Sequence, residues 1–326
     1  MKRLSALVLA LLVHLLTIGF VVLGGWIILR DPGSVLAWML GGIVVAIGWM
    51  LRPRLDRLPA DAEVLERSSA PELYGAAERV ADRIGVKRPA KIAVRDLATE
   101  TRYDRMGLAR TPVLVVGLPL WLALPPKQRA VLLATAYARL PTGDERIVAA
   151  ALVTLEAWQD ALLGARPLRA REDAQAKIAA SSLGALDHPG TTYEVAGFFG
   201  RLIGRVFGGP VLLARFVLTR LARAGESRTL ARQRAVARRV ASEPELAELE
   251  EVAAGGYLAP IQAAALRGES VGAIRQGAVA RFRLTDDGVL TSLPHSDLLG
   301  LGESERIDEE LAAHYARAIR GFGLIS

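Results

Sequence analysis

Four histidines (His14, His188, His295 and His314) and no cysteine are the whole supply of imidazole and thiol in the 326 residues. A helix that holds a metal ion places two ligands four residues apart, because positions i and i+4 share a face. No two of these histidines are close in sequence, and none is followed by a glutamate. Thiolate metal sites, disulfides and cysteine nucleophiles are excluded outright. Glu156 and Asp160 stand four apart and would share a helix face, suited to a hard cation or, more simply, to solvent. Glu172-Asp173 is a further acidic pair with no visible partner. Ser292, His295 and Asp297 crowd into one stretch, but a nucleophilic triad is defined by roles in space and not by local spacing. Gly24-Gly25 and Gly41-Gly42 fall inside apolar runs, and no Gly-Lys-Ser or Gly-Lys-Thr word marks a phosphate loop.

Charge says more than catalytic chemistry does. The net charge is +7 and the isoelectric point about 10.0. Arginines cluster at Arg220, Arg223, Arg228, Arg232, Arg234, Arg238 and Arg239. Such a balance suits anionic lipid or nucleic acid. No nucleic-acid motif accompanies it, whereas long apolar runs do, so a membrane is the expected partner and nucleic acid is not.

These groups must be positioned by the elements around them. The run Leu4–Leu29 has no Asp, Glu, Lys or Arg; as a helix it reaches roughly 39 Å, enough to cross a hydrocarbon core of about 30 Å. A cleaved signal peptide would have a shorter apolar core and no second run. Here, after the polar turn 30–34, Val35–Leu51 is again uncharged, so a transmembrane hairpin is predicted. Lys2 and Arg3 precede it, and Arg52, Arg54 and Arg57 follow it. The positive-inside rule therefore places both termini in the cytoplasm, with Trp26, Trp38 and Trp49 as interfacial anchors. His14, mid-span, reads as a proton or ligand site or as a neutral histidine bonded inside the hairpin.

Beyond a polar connector, Pro71–Ile84 has the three- and four-residue apolar spacing of an amphipathic helix, with Gly85 as its stop. Lys91–Arg95 and Pro112–Gly117 read as strands on either side of a polar segment. Leu118–Leu124 starts another helical piece. The segment Pro125–Asp144, PPKQRAVLLATAYARLPTGD, is predicted as a helix opened by the proline pair and stopped at Pro141. Ala130, Ala134 and Ala138 make a small-residue stripe on it, suited to close packing.

From about Glu72 to Ala138 this layout, with the words LPPKQRAVLLA, resembles the start of the peptidase domain of the HtpX-like membrane zinc metallopeptidases. In that family the last helix carries HExxH, and here Ala134-Thr135-Ala136-Tyr137-Ala138 stands at those positions. The stretch 220–241, closing in RRVAS, resembles the helix that supplies the third ligand, a glutamate followed four residues later by an aspartate. Leu230 and Arg234 stand there, and Glu226 matches only if the helix shifts by about one turn. The resemblance implies a gluzincin-like scaffold with its motif degenerate at Ala134, Thr135, Ala138 and Leu230, and with no metal or other cofactor. It also implies that the second strand, with Leu114, Val115 and Val116, is an edge that lines a groove for a polypeptide partner.

Downstream, Asp144–Leu163 is predicted as a long helix. Tyr193–Leu221 is predicted as two amphipathic helices separated at Gly208-Gly209-Pro210, with Arg201, Arg205, Arg215 and Arg220 as lipid contacts. Ala278–Leu290 reads as a β-hairpin around Asp-Asp-Gly, and Ser304–Phe322 as a closing helix. The expected architecture is α+β and mostly helical. A two-helix transmembrane hairpin (1–57) is followed by a cytoplasmic metallopeptidase-like domain (58–326) with a small sheet. The expected function is an inactive, membrane-anchored peptidase-like protein, set in a bacterial inner membrane, that binds a polypeptide or membrane-protein partner. The alternatives are an active metallopeptidase with non-standard site residues and an anionic-lipid-binding scaffold.

Overall fold

The structure, a computed structural model, describes residues 2–50, 52, 58–107, 109–163, 191–254, 256–283 and 291–324, without the side chains of 2, 3, 50, 160–163, 191–208, 281 and 322–324. It is mostly helical, with a small mixed sheet. The chain divides into two compact units, residues 1–54 with 141–227, and residues 55–140 with 228–326.

The first unit contains α1 (Lys2–Arg30), α2 (Val35–Met50), α6 (Gly143–Leu163) and most of α7 (Thr191–Ala237). Among the described residues one helix, Leu4–Arg30, is long and apolar enough to cross a membrane, and Val35–Trp49 is a shorter apolar helix. The 16 residues of α2 reach only about 24 Å at 1.5 Å each. Ser34 caps α2 through the Ala37 amide at 3.3 Å, and a Cβ on Gly24 or Gly41 would stand 2.7 Å from the other's carbonyl oxygen. The hairpin therefore packs at backbone contact.

The expected boundary at residue 57 is not where the chain divides. α6 and α7 join the hairpin because their apolar stripes meet it: Ala151, Leu155 and Trp158 of α6 and Val211 and Leu218 of α7 cluster with Ala6, Ala10 and Val13 of α1. Thr142 and Glu145 start α6 as a reciprocal capping box, at 3.4 and 2.7 Å. His14 is bonded outside the hairpin, its Nε2 donating to the Ile147 carbonyl at 3.3 Å. The break expected at Gly208-Gly209-Pro210 is also corrected, because α7 runs through Pro210 as one helix. Packing of Val211, Ala214, Leu218 and Leu221 outweighs the lost hydrogen bond of one proline.

The second unit is built on β1 (Ala62–Leu65), β2 (Lys91–Arg95), β3 (Arg102–Met106) and β4 (Thr111–Gly117), ordered β1-β2-β4-β3. β2 and β4 run parallel, and β1 and β3 pair antiparallel at the outside. Both outer strands went unread in the sequence because they are half covered and polar. β4 is an inner strand bonded on both sides, so the expectation that it forms the edge is corrected.

α3 (Pro71–Ile84) buries Leu73, Ala76, Ala77, Val80 and Ile84 and ends at Gly85 in the left-handed region. Tyr74 Oη ties it to the sheet, accepting from the Ile92 amide and donating to the Leu65 carbonyl, both at 2.9 Å. The Glu310 carboxylate accepts from the Glu72 and Leu73 amides at 2.8 and 3.1 Å, filling the positive end of that helix. At the end of β4, Gly117 lets the segment 98–101 approach, since a Cβ there would collide with the Ala98 carbonyl and stand 2.8 Å from that of Glu100.

α4 (Leu118–Ala123) and α5 (Pro126–Ala138) follow, then α8 (Glu243–Ala254), α9 (Leu258–Leu266), α10 (Val271–Ala280), α11 (Leu301–Glu310) and α12 (Ala312–Leu324). The hairpin expected from Ala278 is corrected. α10 and a 3-10 turn at Arg281–Arg283 occupy its first half, and 284–290 lies outside the described residues. Val271, Ile274 and Ala278, packed on the core from one face of α10, put this stretch on a helical period, which overrides its β-branched composition.

One face of α5 carries Arg129, wholly buried. Its guanidinium donates to the Trp121 carbonyl at 3.0 Å, to Ser304 Oγ at 2.7 Å and to Asp308 at 2.5 Å. Arg275 of α10 meets the same carboxylate at 3.2 Å. Burial alone would raise the Asp308 pKa, but the two guanidiniums outweigh it and hold the carboxyl below its usual range.

Candidate functional site

An adjoining face of α5 looks into a cavity of about 270 Å³. Leu132, Thr135, Ala136 and Arg139 point there, at the i, i+3, i+4, i+7 spacing of one helical face. Leu230, Gln233, Arg234 and Ala237 of α7 form the second wall, and Leu246, Leu249, Glu250 and Ala253 of α8 the third. Thr99, Glu100 and Thr101, which lead into β3, close one side with Tyr257.

Polar pins hold these walls. Lys127 pairs with Glu245 at 2.5 Å and Gln128 donates to Glu248, fixing the start of α5 to α8. Arg232 donates to the Leu140 carbonyl at 3.3 Å, and Arg239 to the Ile84 carbonyl at 2.5 Å, fixing α7.

The interior is mainly apolar. Arg234 faces Glu250 across 3.4 Å, while Glu100 and Arg139 are exposed at the rim. Tyr257 is 8 % exposed. Its hydroxyl leans toward Thr99 but meets no partner at hydrogen-bonding geometry, and burial pushes its pKa up. Thr135 Oγ1 donates back to the Val131 carbonyl at 2.8 Å, so its proton is committed within the helix. The arrangement can receive an apolar group and offer it the Tyr257 hydroxyl. Among the described residues no three His, Asp or Glu side chains gather as a metal site.

Of the degenerate motif positions, Thr135, Ala138 and Leu230 come together on the cavity wall, and so does Arg234. Ala134 does not; it is fully buried on another side of α5. The positions at which the resemblance puts two imidazoles, 134 and 138, therefore do not share the cavity, whereas 135 and 139 do. Leu114, Val115 and Val116 cannot line a groove, since they are 0–1 % exposed on an inner strand.

The other candidates stay apart. Ser292, His295 and Asp297 are exposed, with no hydrogen bond joining them among the described residues. Glu156 faces Arg215 at 3.4 Å. The Asp160 side chain, Glu172, Asp173, His188 and the Arg201 and Arg205 side chains lie outside the described residues. Arg215 is engaged by Gln159 as well as Glu156, which leaves Arg220 exposed as the remaining lipid candidate.

Sequence reading missed Thr99–Thr101, β3, Tyr257 and α8 as parts of one site. A signal was there, in the alternation that buries Thr101 and Tyr103 and half-exposes Arg102 and Asp104. No known protein family, no curated protein and no solved structure matches the chain.

Proposed function

We propose that this is a membrane-anchored, peptidase-like protein that holds a polypeptide without cutting it. α1 crosses the bilayer with α2 beside it, and the unit formed by residues 55–140 and 228–326 faces the cytoplasm. The observation that carries the reading is the cavity that gathers Thr135, Ala138, Leu230 and Arg234. These are positions where the HtpX-like peptidases keep their working side chains, and here they are apolar, committed or basic.

The partner is an extended segment. β3 is bonded to β4 on one side and lies at the outside of the sheet, so it can accept an added strand. Thr99–Thr101 lead from the cavity into that strand, so an added segment would place an apolar side chain among Leu132, Leu230, Leu246 and Leu249. This moves the partner groove from β4, where the sequence suggested it, to β3.

The test is fluorescence anisotropy with labelled ten-residue peptides that carry a central Leu or Phe, on the detergent-purified full chain. Saturable binding with the peptide intact by mass spectrometry is expected, and Ala136→Trp, which fills the cavity, should abolish it. Cleaved peptide would bring the enzyme reading forward. Binding that survives the filled cavity would sink the proposal.

A further inference from the structure

α7 shows two faces between residues 211 and 223. Val211 and Leu218 are buried against Ala6, Ala10 and Val13 of α1, the first half of the helix long enough to cross a membrane. Residues of α1 that point away from this cluster stand open, Leu4 and Leu15 at 66 % and 73 %. The outer face of α7 continues that apolar surface, with Leu213 and Phe216 exposed at 63 % and 60 %. A bilayer that covers α1 has the same surface to cover here.

The basic residues follow immediately. Leu212, Arg215, Phe216, Thr219, Arg220 and Arg223 line a surface groove of about 550 Å³. Arg215 is engaged by Gln159 and Glu156. Arg220 and Arg223, one to two turns further on, are exposed and make no hydrogen bond or ion pair among the described residues. From Leu212 to Arg220 is about 12 Å along the axis, a distance that takes the helix from acyl chain to headgroup.

We propose that this face of α7 binds an anionic phospholipid of the surrounding bilayer, with the phosphate between Arg220 and Arg223 and the Thr219 hydroxyl beside it. The acyl chains lie along Leu212 and Phe216. Two unpaired guanidiniums next to exposed apolar side chains select an anion with hydrocarbon attached; inorganic phosphate would use half of the groove. Arginine also suits this role because its fork is bidentate toward phosphate and its stem can lie along apolar surface.

The experiment titrates the full chain in neutral-detergent micelles with phosphatidylglycerol, phosphatidylcholine or inorganic phosphate, reading bound lipid by native mass spectrometry and melting temperature. Phosphatidylglycerol should bind and stabilise in preference to phosphatidylcholine, with phosphate alone inert. Arg220→Gln/Arg223→Gln should weaken phosphatidylglycerol binding roughly thirtyfold, from about fivefold for each arginine near an anionic surface. Arg83→Gln/Arg320→Gln removes the same charge from exposed positions elsewhere and should leave binding unchanged. Both variants should melt as the parent does without lipid. Equal binding of the two lipids, phosphate sufficing alone, or equal losses in both variants would each overturn the site. If the chain fails to enter vesicles of any composition, the membrane-anchored reading falls with it; equal entry into neutral and anionic vesicles removes the lipid site alone.

Discussion

The two faces of α5 make opposite use of charge. On one, Arg129 is wholly buried and its guanidinium is met by the Trp121 carbonyl, Ser304 and Asp308, with the Trp121 ring beneath it at 5.0 Å. Asp308 is shared with Arg275, which burial and then the neighbouring Arg129 lower to about 10. On the other face, Leu132, Thr135, Ala136 and Arg139 border a cavity in which a deeply placed polar group, the Tyr257 hydroxyl, has no full partner. A buried charge is tolerated only where every donor is answered. The chain answers the Arg129 guanidinium on the scaffold side and places no ionisable side chain of α5 inside the cavity.

Removing the buried guanidinium should break the scaffold face most severely. Arg129→Ala leaves the Trp121 carbonyl and part of the Asp308 carboxylate unanswered around a void, a loss of about 3–5 kcal/mol. Thr135→Val, on the cavity face of the same helix, should change stability by about 0.5 kcal/mol or less. Chemical denaturation of the two variants measures the difference. Equal losses would mean that the cavity face is as constrained as the scaffold face.

A second change sharpens the same comparison by giving the cavity face the chemistry it lacks. Thr135→His/Arg139→His sets two imidazoles one turn apart toward the cavity, the spacing that chelates zinc, with Glu250 on the facing wall. Added zinc at about a hundred times its dissociation constant should stabilise this variant by about 2.7 kcal/mol, read as a rise in melting temperature that chelator reverses. Ala134→His/Ala138→His should gain nothing, because position 134 is buried off the cavity wall. The reverse result would restore the register suggested by the sequence.

That register marks where sequence reading stopped. α3, β2 and α5 were legible because Pro71, Gly85, Pro125-Pro126 and Pro141 punctuate clean apolar periods. The edge strands were not, since β1 and β3 are polar and half covered. α7 was misread because Pro210 argues for a break that tertiary packing overrules. At the site, Thr135 and Leu230 were legible as positions but not as neighbours. Their meeting depends on Lys127–Glu245 and Arg232–Leu140, contacts between segments more than ninety residues apart. Which face of α5 meets the cavity is likewise set by α7 and α8, and no local pattern encodes it.

The smallest effect belongs to a third kind of buried group, a histidine whose protonation the scaffold disfavours. His314 is 8 % exposed on α12, with Arg317 at 2.6 Å from its Nδ1 and Glu63 and Asp96 at 3.7 and 3.9 Å. Burial, and then Arg317, hold its pKa below the ordinary 6.5, and the two carboxylates only partly offset them. As pH falls through 6.5 the unfolded chain takes up a proton that the folded chain resists, so stability is complete above that pH and declines below it. Melting temperature should therefore fall between pH 7 and pH 5.5 by more in the parent than in His314→Gln, the excess being less than about 2 °C. Parallel curves would mean that Glu63 and Asp96 compensate the imidazolium fully. A steeper fall in the variant would mean that they overcompensate, and that His314 is charged in the folded protein.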